Sequence, residues 1–235
     1  MNIKEELKKY AQSDCIEEKF AYFHKTGKGD YAENDIFIGV TVPDIRKVAN
    51  KYYKEISLKE VEELLHSNYH EERLLALVIL TYKIKKAEQN EQKQIVDLYI
   101  NNTQYINGWD LVDISAHYIL GKYLLEHEDE KDVLYKFASS DNLWKQRISI
   151  VSTWIFIRNN KYQDTLKIAE RLLNNKQDLI HKSVGWMLRE VGNKDFKTEY
   201  DFLVKYYKKM PRTMLRYSIE KFDEDLRQDF LKGRI

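Results

Sequence analysis

The sequence predicts an all-α protein, a curved solenoid of stacked antiparallel helix pairs, and three observations lead there. Only two prolines and eight glycines occur in 235 residues, so the residues that punctuate turns and break helices are scarce. Apolar residues recur at helical spacing almost everywhere after residue 42, while strand alternation is nearly absent. The segments NYHEERLLAL from Asn68, NLWKQRISI from Asn142 and DLIHKSVGW from Asp178 align without gaps, 74 and 36 residues apart. A period near 36 or 37 lies close to the length of a HEAT, armadillo or tetratricopeptide helix pair. Each such pair buries its apolar stripe on its neighbours and leaves a concave surface for a partner.

Along the chain, KTGKGDYAEN (residues 25–34) holds two of the eight glycines among polar residues and reads as an exposed loop. It lacks the flanking pattern of a phosphate-cradling loop. Pro43 fits a first helical turn, with Thr41 as its cap, and Pro211 starts another helix. VPDIRKVANKYY, LKEVEELL, EERLLALVILTYKI and EQKQIVDLYI follow as amphipathic helices. The polar first residue of each repeat, Asn68, Asn142 and Asp178, is expected to cap its helix. We expect one domain over residues 1–235, monomeric as a repeat stack usually is.

Composition narrows the function. The chain carries 39 Lys plus Arg against 38 Asp plus Glu, 33% charged and 43% hydrophobic residues, with a mean hydropathy of −0.63. No run approaches the roughly 18 apolar residues of a membrane span, and MNIKEELKKYAQSD has no apolar signal core. A cytoplasmic protein without membrane contact is expected. One cysteine, Cys15, cannot supply an internal disulfide, a multi-thiolate zinc site or a four-cysteine iron–sulfur cluster. His66 and His70 share i, i+4 spacing, but HSNYH lacks the glutamate of a zinc-protease motif. Neither metal nor cofactor is expected.

The near-neutral total hides an asymmetry. Between Leu143 and Arg189 nine basic residues face three acidic ones, a local net of +6 that leaves −5 over the remainder. Such a block is often only a solvated face. Here Trp144, Trp154 and Trp186 are interleaved with it; tryptophan is more often core than contact, and Trp154 within SIVSTWIFI most of all. Upstream, INGWDLVDISAHYIL puts Trp109 four residues before Asp113, on one helix face. Read by itself, Asp110 is a first-turn acid favoured by the helix dipole and Asp113 a surface acid.

GWDLVD, DNLWKQR and VGWMLREVG, in that order, resemble the AlkD-like DNA alkylation repair enzymes, a family of HEAT-like-repeat DNA glycosylases. FHKTGKGDYAENDIFIGVTVPDIRKVA and MPRTMLRYSIEKF are similar to family segments too, so the likeness spans nearly the whole chain. The resemblance implies that Trp109, Asp113 and Trp186 are the active-site aromatic and carboxylate residues and that Arg147 and Arg189 contact DNA. It further implies a glycosylase acting on cationic N3- or N7-alkylated purines in double-stranded DNA, without a conventional flipped-base pocket; with no lysine read as a lyase amine, a monofunctional enzyme is expected. Lys145 and Lys182 read as phosphate contacts rather than lyase amines. Arg212 and Arg216 share an i, i+4 face and reach a phosphate, or else belong to a terminal capping helix. The alternative from another class is a non-catalytic HEAT-like module that binds DNA structures or a protein partner; such a binder has no use for an acid facing phosphates.

Overall fold

Residues 2–12, 24–33 and 35–235 are described by the computed structural model. Cys15 and Asn34 lie outside the described residues. Among those residues the secondary structure is helical, with a single bridge between Ile36 and Tyr69, as the periodicity predicts. No helix among them is long and apolar enough to cross a membrane. The chain divides into two compact units, Met1–Ser115 and Ala116–Ile235.

The first unit contains α1 (Ile3–Lys8), α2 (Val42–Tyr52), α3 (Leu58–Leu65), α4 (His70–Lys83), α5 (Gln89–Asn101) and α6 (Trp109–Ser115). Local chemistry sets several starts. Asn2 accepts from the Lys4 amide at the head of α1. Ser57 and Glu60 form a reciprocal capping box on α3, which satisfies two amides that a helix start otherwise leaves open. Thr41 precedes α2 as expected, but its hydroxyl donates to Asp44 at 2.7 Å instead of capping the backbone. Helix α4 is buried from His70 to Thr81 and packs against α2, α3 and α6, so it is the unit's central post. Glu71 on α4 accepts from the backbone amides of Ile38 and Gly39 at 2.8 to 3.0 Å. Gly39 has φ 83°, a left-handed conformation that costs glycine little and turns successive amides onto one carboxylate. That contact fixes the segment carrying Asp35 beside the start of α4.

The second unit begins with a π-helical turn, His117–Gly121, continued by α7 (Lys122–Glu126). It proceeds through α8 (Asp132–Ala138), α9 (Leu143–Ser152), α10 (Trp154–Arg158), α11 (Gln163–Leu172), α12 (Asp178–Gly192), α13 (Phe196–Tyr206), α14 (Arg212–Ser218) and α15 (Glu224–Lys232). Helix α9 packs on α8, α11 and α12, and α12 packs on α11, α13 and α14. The three aligned segments are therefore α4, α9 and α12, the buried helices of their units.

Their caps differ from the expectation. Asn142 accepts from the Trp144 and Lys145 amides, but α4 is preceded by Tyr69 and α12 by Gln177, and neither side chain caps. Asn68 sits one residue outside α4 and Asp178 is already inside α12, where an acid still meets the dipole favourably. Pro211 precedes α14 as predicted.

A close helix approach in the second unit runs through Gly185 of α12. A Cβ there would lie 2.5 Å from the Met214 carbonyl oxygen and 2.5 Å from Tyr217 Cβ on α14. Glu199 on α13 is only 2% exposed; burial pushes its pKa up to about 9, against a smaller opposing pull from Arg189. It is neutral at physiological pH.

Two stability predictions follow from these contacts. Gly185→Ala should destabilise the protein by about 1 to 3 kcal/mol, because α12 and α14 cannot separate without losing their packing; chemical denaturation measures it. For Glu199 the unfolded carboxyl ionises near its ordinary value while the folded one keeps its proton, so stability falls as pH rises between those values. Glu199→Gln should therefore raise the melting temperature, by little near about pH 5 and by most near about pH 9.

Candidate functional site

The sequence-predicted residues fall into two groups, one in each unit. In the first unit, α6 starts at Trp109 immediately after Gly108. A Cβ at Gly108 would sit 2.8 Å from an oxygen of Asp110 and 3.1 Å from the His70 ring, so only glycine lets the start of α6 lie this close to the start of α4. Trp109 and Asp113 are both half-buried and one turn apart on α6. Asp113 is near enough to the buried Tyr99 hydroxyl to add to the upward shift that burial gives it.

Asp110 is not the surface first-turn acid that its position in the sequence suggests. Its Oδ2 lies 2.7 Å from Nε2 of His70, whose Nδ1 lies 2.9 Å from Oδ2 of Asp35. Arg73 donates to the other oxygen of Asp35 at 2.7 Å. His70, Arg73 and Asp35 are almost wholly buried. Burial disfavours a charged imidazole, but the hydrogen bonds to Asp110 and Asp35 outweigh it and push His70 up to about 9. The same burial works against ionising Asp35 and Asp110, yet both stay below the usual carboxylate range because His70 donates to them. Two cations thus compensate two anions inside the unit, which is the condition under which buried charges are tolerated.

Rings close over this network. His24 stacks on Trp109 with centroids 5.6 Å apart and planes 14° from parallel. It also meets His70 at 4.8 Å and Phe37 at 5.1 Å. Burial pushes His24 down, against a smaller opposing pull from Asp110, and so favours its neutral form. Donor atoms of His24, His70 and Asp110 lie within 4.8 Å of one another, close enough for a metal ion. Both nitrogens of His70 face carboxylates, however, and a ring that donates from both has no lone pair left for a metal. His66, the other member of the HSNYH pair, points elsewhere, with Nε2 2.6 Å from Asn102 Oδ1.

In the second unit, Lys182, Trp186 and Arg189 follow one another at four and three residues along α12 and so share a face. Trp186 donates to Glu190 at 3.2 Å, Lys182 pairs with Asp178 at 2.7 Å, and Arg189 pairs with Glu220. Arg212 and Arg216 lie exposed on α14, which packs on α12, and Arg212 donates to the Leu231 carbonyl at 3.1 Å. Lys145 stands over the Phe137 ring at 5.7 Å. Arg147 is only 5% exposed, and its Nη1 donates to the Leu179 carbonyl at 2.5 Å, which fastens α9 to the first turn of α12. Of the interleaved tryptophans, Trp144 is buried, while Trp154 is half-buried beneath the Arg158 guanidinium.

The residues that sequence reasoning missed are Asp35, Arg73, Phe37 and His24, together with the true roles of His70 and Asp110. The bonds that join them span 35 to 40 residues, and no local pattern announces them.

Residues 3–222 match the family described as DNA alkylation repair enzyme. Among solved structures, a predicted DNA alkylation repair enzyme from Enterococcus faecalis is similar over 92% of this chain and 98% of its own, at TM-score 0.73 and 14% identity. AlkD2 from Streptococcus mutans is similar over 89% of this chain and 99% of its own, at TM-score 0.58 and 15% identity. The protein smu.31 from Streptococcus mutans UA159 covers 78% of this chain and 93% of its own, at TM-score 0.56 and 16% identity. No curated protein matches the chain. At these identities the solved structures carry the fold, and the match over nearly the whole length carries the family: the chain belongs to the DNA alkylation repair enzymes.

Proposed function

We propose that this protein is a monofunctional DNA glycosylase that hydrolyses the N-glycosidic bond of cationic N3- or N7-alkylated purines in duplex DNA. The observation that carries the reading is Trp109 and Asp113 on one face of α6, in a chain of the DNA alkylation repair family. An alkylated purine of this kind bears a positive charge and is already a good leaving group. As its bond to the sugar lengthens, positive charge develops on the sugar. A carboxylate at Asp113 stabilises that charge and orients or activates the water that attacks it. The indole face of Trp109 attracts a cation by roughly 0.5 to 2 kcal/mol and keeps bulk water from the sugar. No single interaction need be large, because the substrate supplies much of its own activation.

Arg189 takes a phosphate in this reading. Its resting partner Glu220 is about half exposed, and an ion pair of that kind contributes little, so a bidentate phosphate contact readily replaces it. Lys182, Arg212 and Arg216 add positive charge on α12 and the helix packed on it. Arg147 also serves as a phosphate anchor, with its guanidinium set by the Leu179 carbonyl. Lys145, beside the Phe137 ring, and Lys182, bonded to Asp178, serve as phosphate contacts and not as lyase nucleophiles.

The test is release of 7-methylguanine and 3-methyladenine from methylated duplex DNA. Wild type should release both, and Asp113→Asn should slow release by about a hundredfold or more, the scale of a lost acid–base group. Release that is absent from wild type, with tight duplex binding retained, would favour the non-catalytic binding module. In salt titrations of duplex affinity, Arg189→Ala should flatten the slope by about one unit per phosphate contact. Arg147→Ala should weaken binding and also lower the melting temperature, because it unfastens α9 from α12.

A further inference from the structure

We propose that Asp35, His70 and Asp110 form a positioning clamp that sets Trp109 for its contact with the cationic lesion, with His24 as the stacked support behind the indole. This inference rests on the glycosylase reading and extends it to residues that touch no substrate. Three segments distant in sequence meet at one imidazole. The segment before α2 brings Asp35, the first turn of α4 brings His70 and Arg73, and the first turn of α6 brings Asp110, next in the chain to Trp109.

A histidine that donates from both nitrogens fixes both carboxylates in the plane of its ring. Asp110 is therefore held from one side by His70 at 2.7 Å, and Gly108 allows the helix start to lie so near that a Cβ there would come 3.1 Å from the His70 ring. On the other side, the His24 ring lies parallel to the indole at 5.6 Å and is itself held by Phe37 and His70. The Trp109 indole is thus packed by His24, and the helix start that carries it is held through Asp110.

The charge arrangement suits a cationic ligand. The groups facing His70 are Asp35, Asp110, Arg73 and His24. Two carboxylates balance His70 and Arg73, and burial favours the neutral form of His24. Among the described residues, no uncompensated positive charge stands behind the indole to oppose a positively charged base on its open face. An apolar cluster would pack the same volume without a desolvation cost, but it would not aim Asp110 and the indole from fixed directions.

The test combines variants with a measurement on the unaltered protein. Nitrogen-15 spectra of the wild type near neutral pH should show His70 protonated on both nitrogens; one deprotonated nitrogen overturns the clamp. Asp110→Asn should alter Trp109 emission, assigned by difference from Trp109→Phe. It should also slow single-turnover base release by roughly tenfold to a hundredfold, the cost of a misplaced catalytic geometry, while duplex Kd stays the same. Unaltered emission and rate overturn the proposal, as does an equal loss in Kd, which would make the network merely structural. His24→Phe, which keeps the stack, should retain the rate that His24→Ala loses; equal rates for the two remove His24 from the clamp and contradict it. Should the wild type release no base, the glycosylase reading fails while the nitrogen-15 and emission results still decide the clamp. Should Asp110→Asn not fold, the wild-type spectra and the His24 pair decide it.

Discussion

The hydrogen bonds from one buried histidine to two aspartates hold the first unit's functional end together. His70 opens α4, the most buried helix of its unit, and donates to Asp35 and Asp110 from opposite sides of its ring. Every other feature of that end depends on this junction. The Asp35 segment is kept in reach by Glu71, one residue further along α4, which gathers the amides of Ile38 and Gly39. Arg73, three residues along α4 from His70, balances the second carboxylate charge. Helix α6 is fastened at its first turn, so Trp109 and Asp113 inherit their placement from α4 and not from their own short helix. Seven residues are too few to hold a conformation unaided.

The second unit uses the same strategy with different groups. There α12 is the buried helix, and the functional candidates lie along its half-buried stripe while α9, α11, α13 and α14 pack against the helix. The basic excess between residues 143 and 189 is partly compensated: Lys161 pairs with Glu128, Lys182 with Asp178 and Arg189 with Glu220. In the proposed reading, a polyanion exchanges these exposed acidic partners for phosphates at small cost. Binding then depends on geometry along one face more than on bulk charge, which the chain's total of +1 does not supply.

Much of the fold was legible in the sequence because helical periodicity is a local signal. The repeats at Asn68, Asn142 and Asp178 pick out α4, α9 and α12, and Pro43 and Pro211 mark helix starts. Caps were less legible: Asn142 caps as expected, whereas Asn68 and Asp178 miss the position by one residue. The i, i+4 pairing of Trp109 with Asp113 was legible for the same local reason. Asp110 was not, since the partner that makes it a buried ion lies 40 residues away, and a dipole-favoured acid and a buried ion pair look alike in one dimension. Arg147 repeats the lesson. Its basic side chain suggests a freely exposed cation, but the residue is only 5% exposed and one guanidinium nitrogen donates to the Leu179 carbonyl.

The account comes to rest on whether these residues break a glycosidic bond. The most direct measurement places one 7-methylguanine at a defined position in a duplex and follows that strand under single-turnover conditions. We predict loss of the base at that position alone, leaving an apurinic site that breaks only on later treatment with alkali. A duplex that is bound but keeps its methylated base would contradict the account.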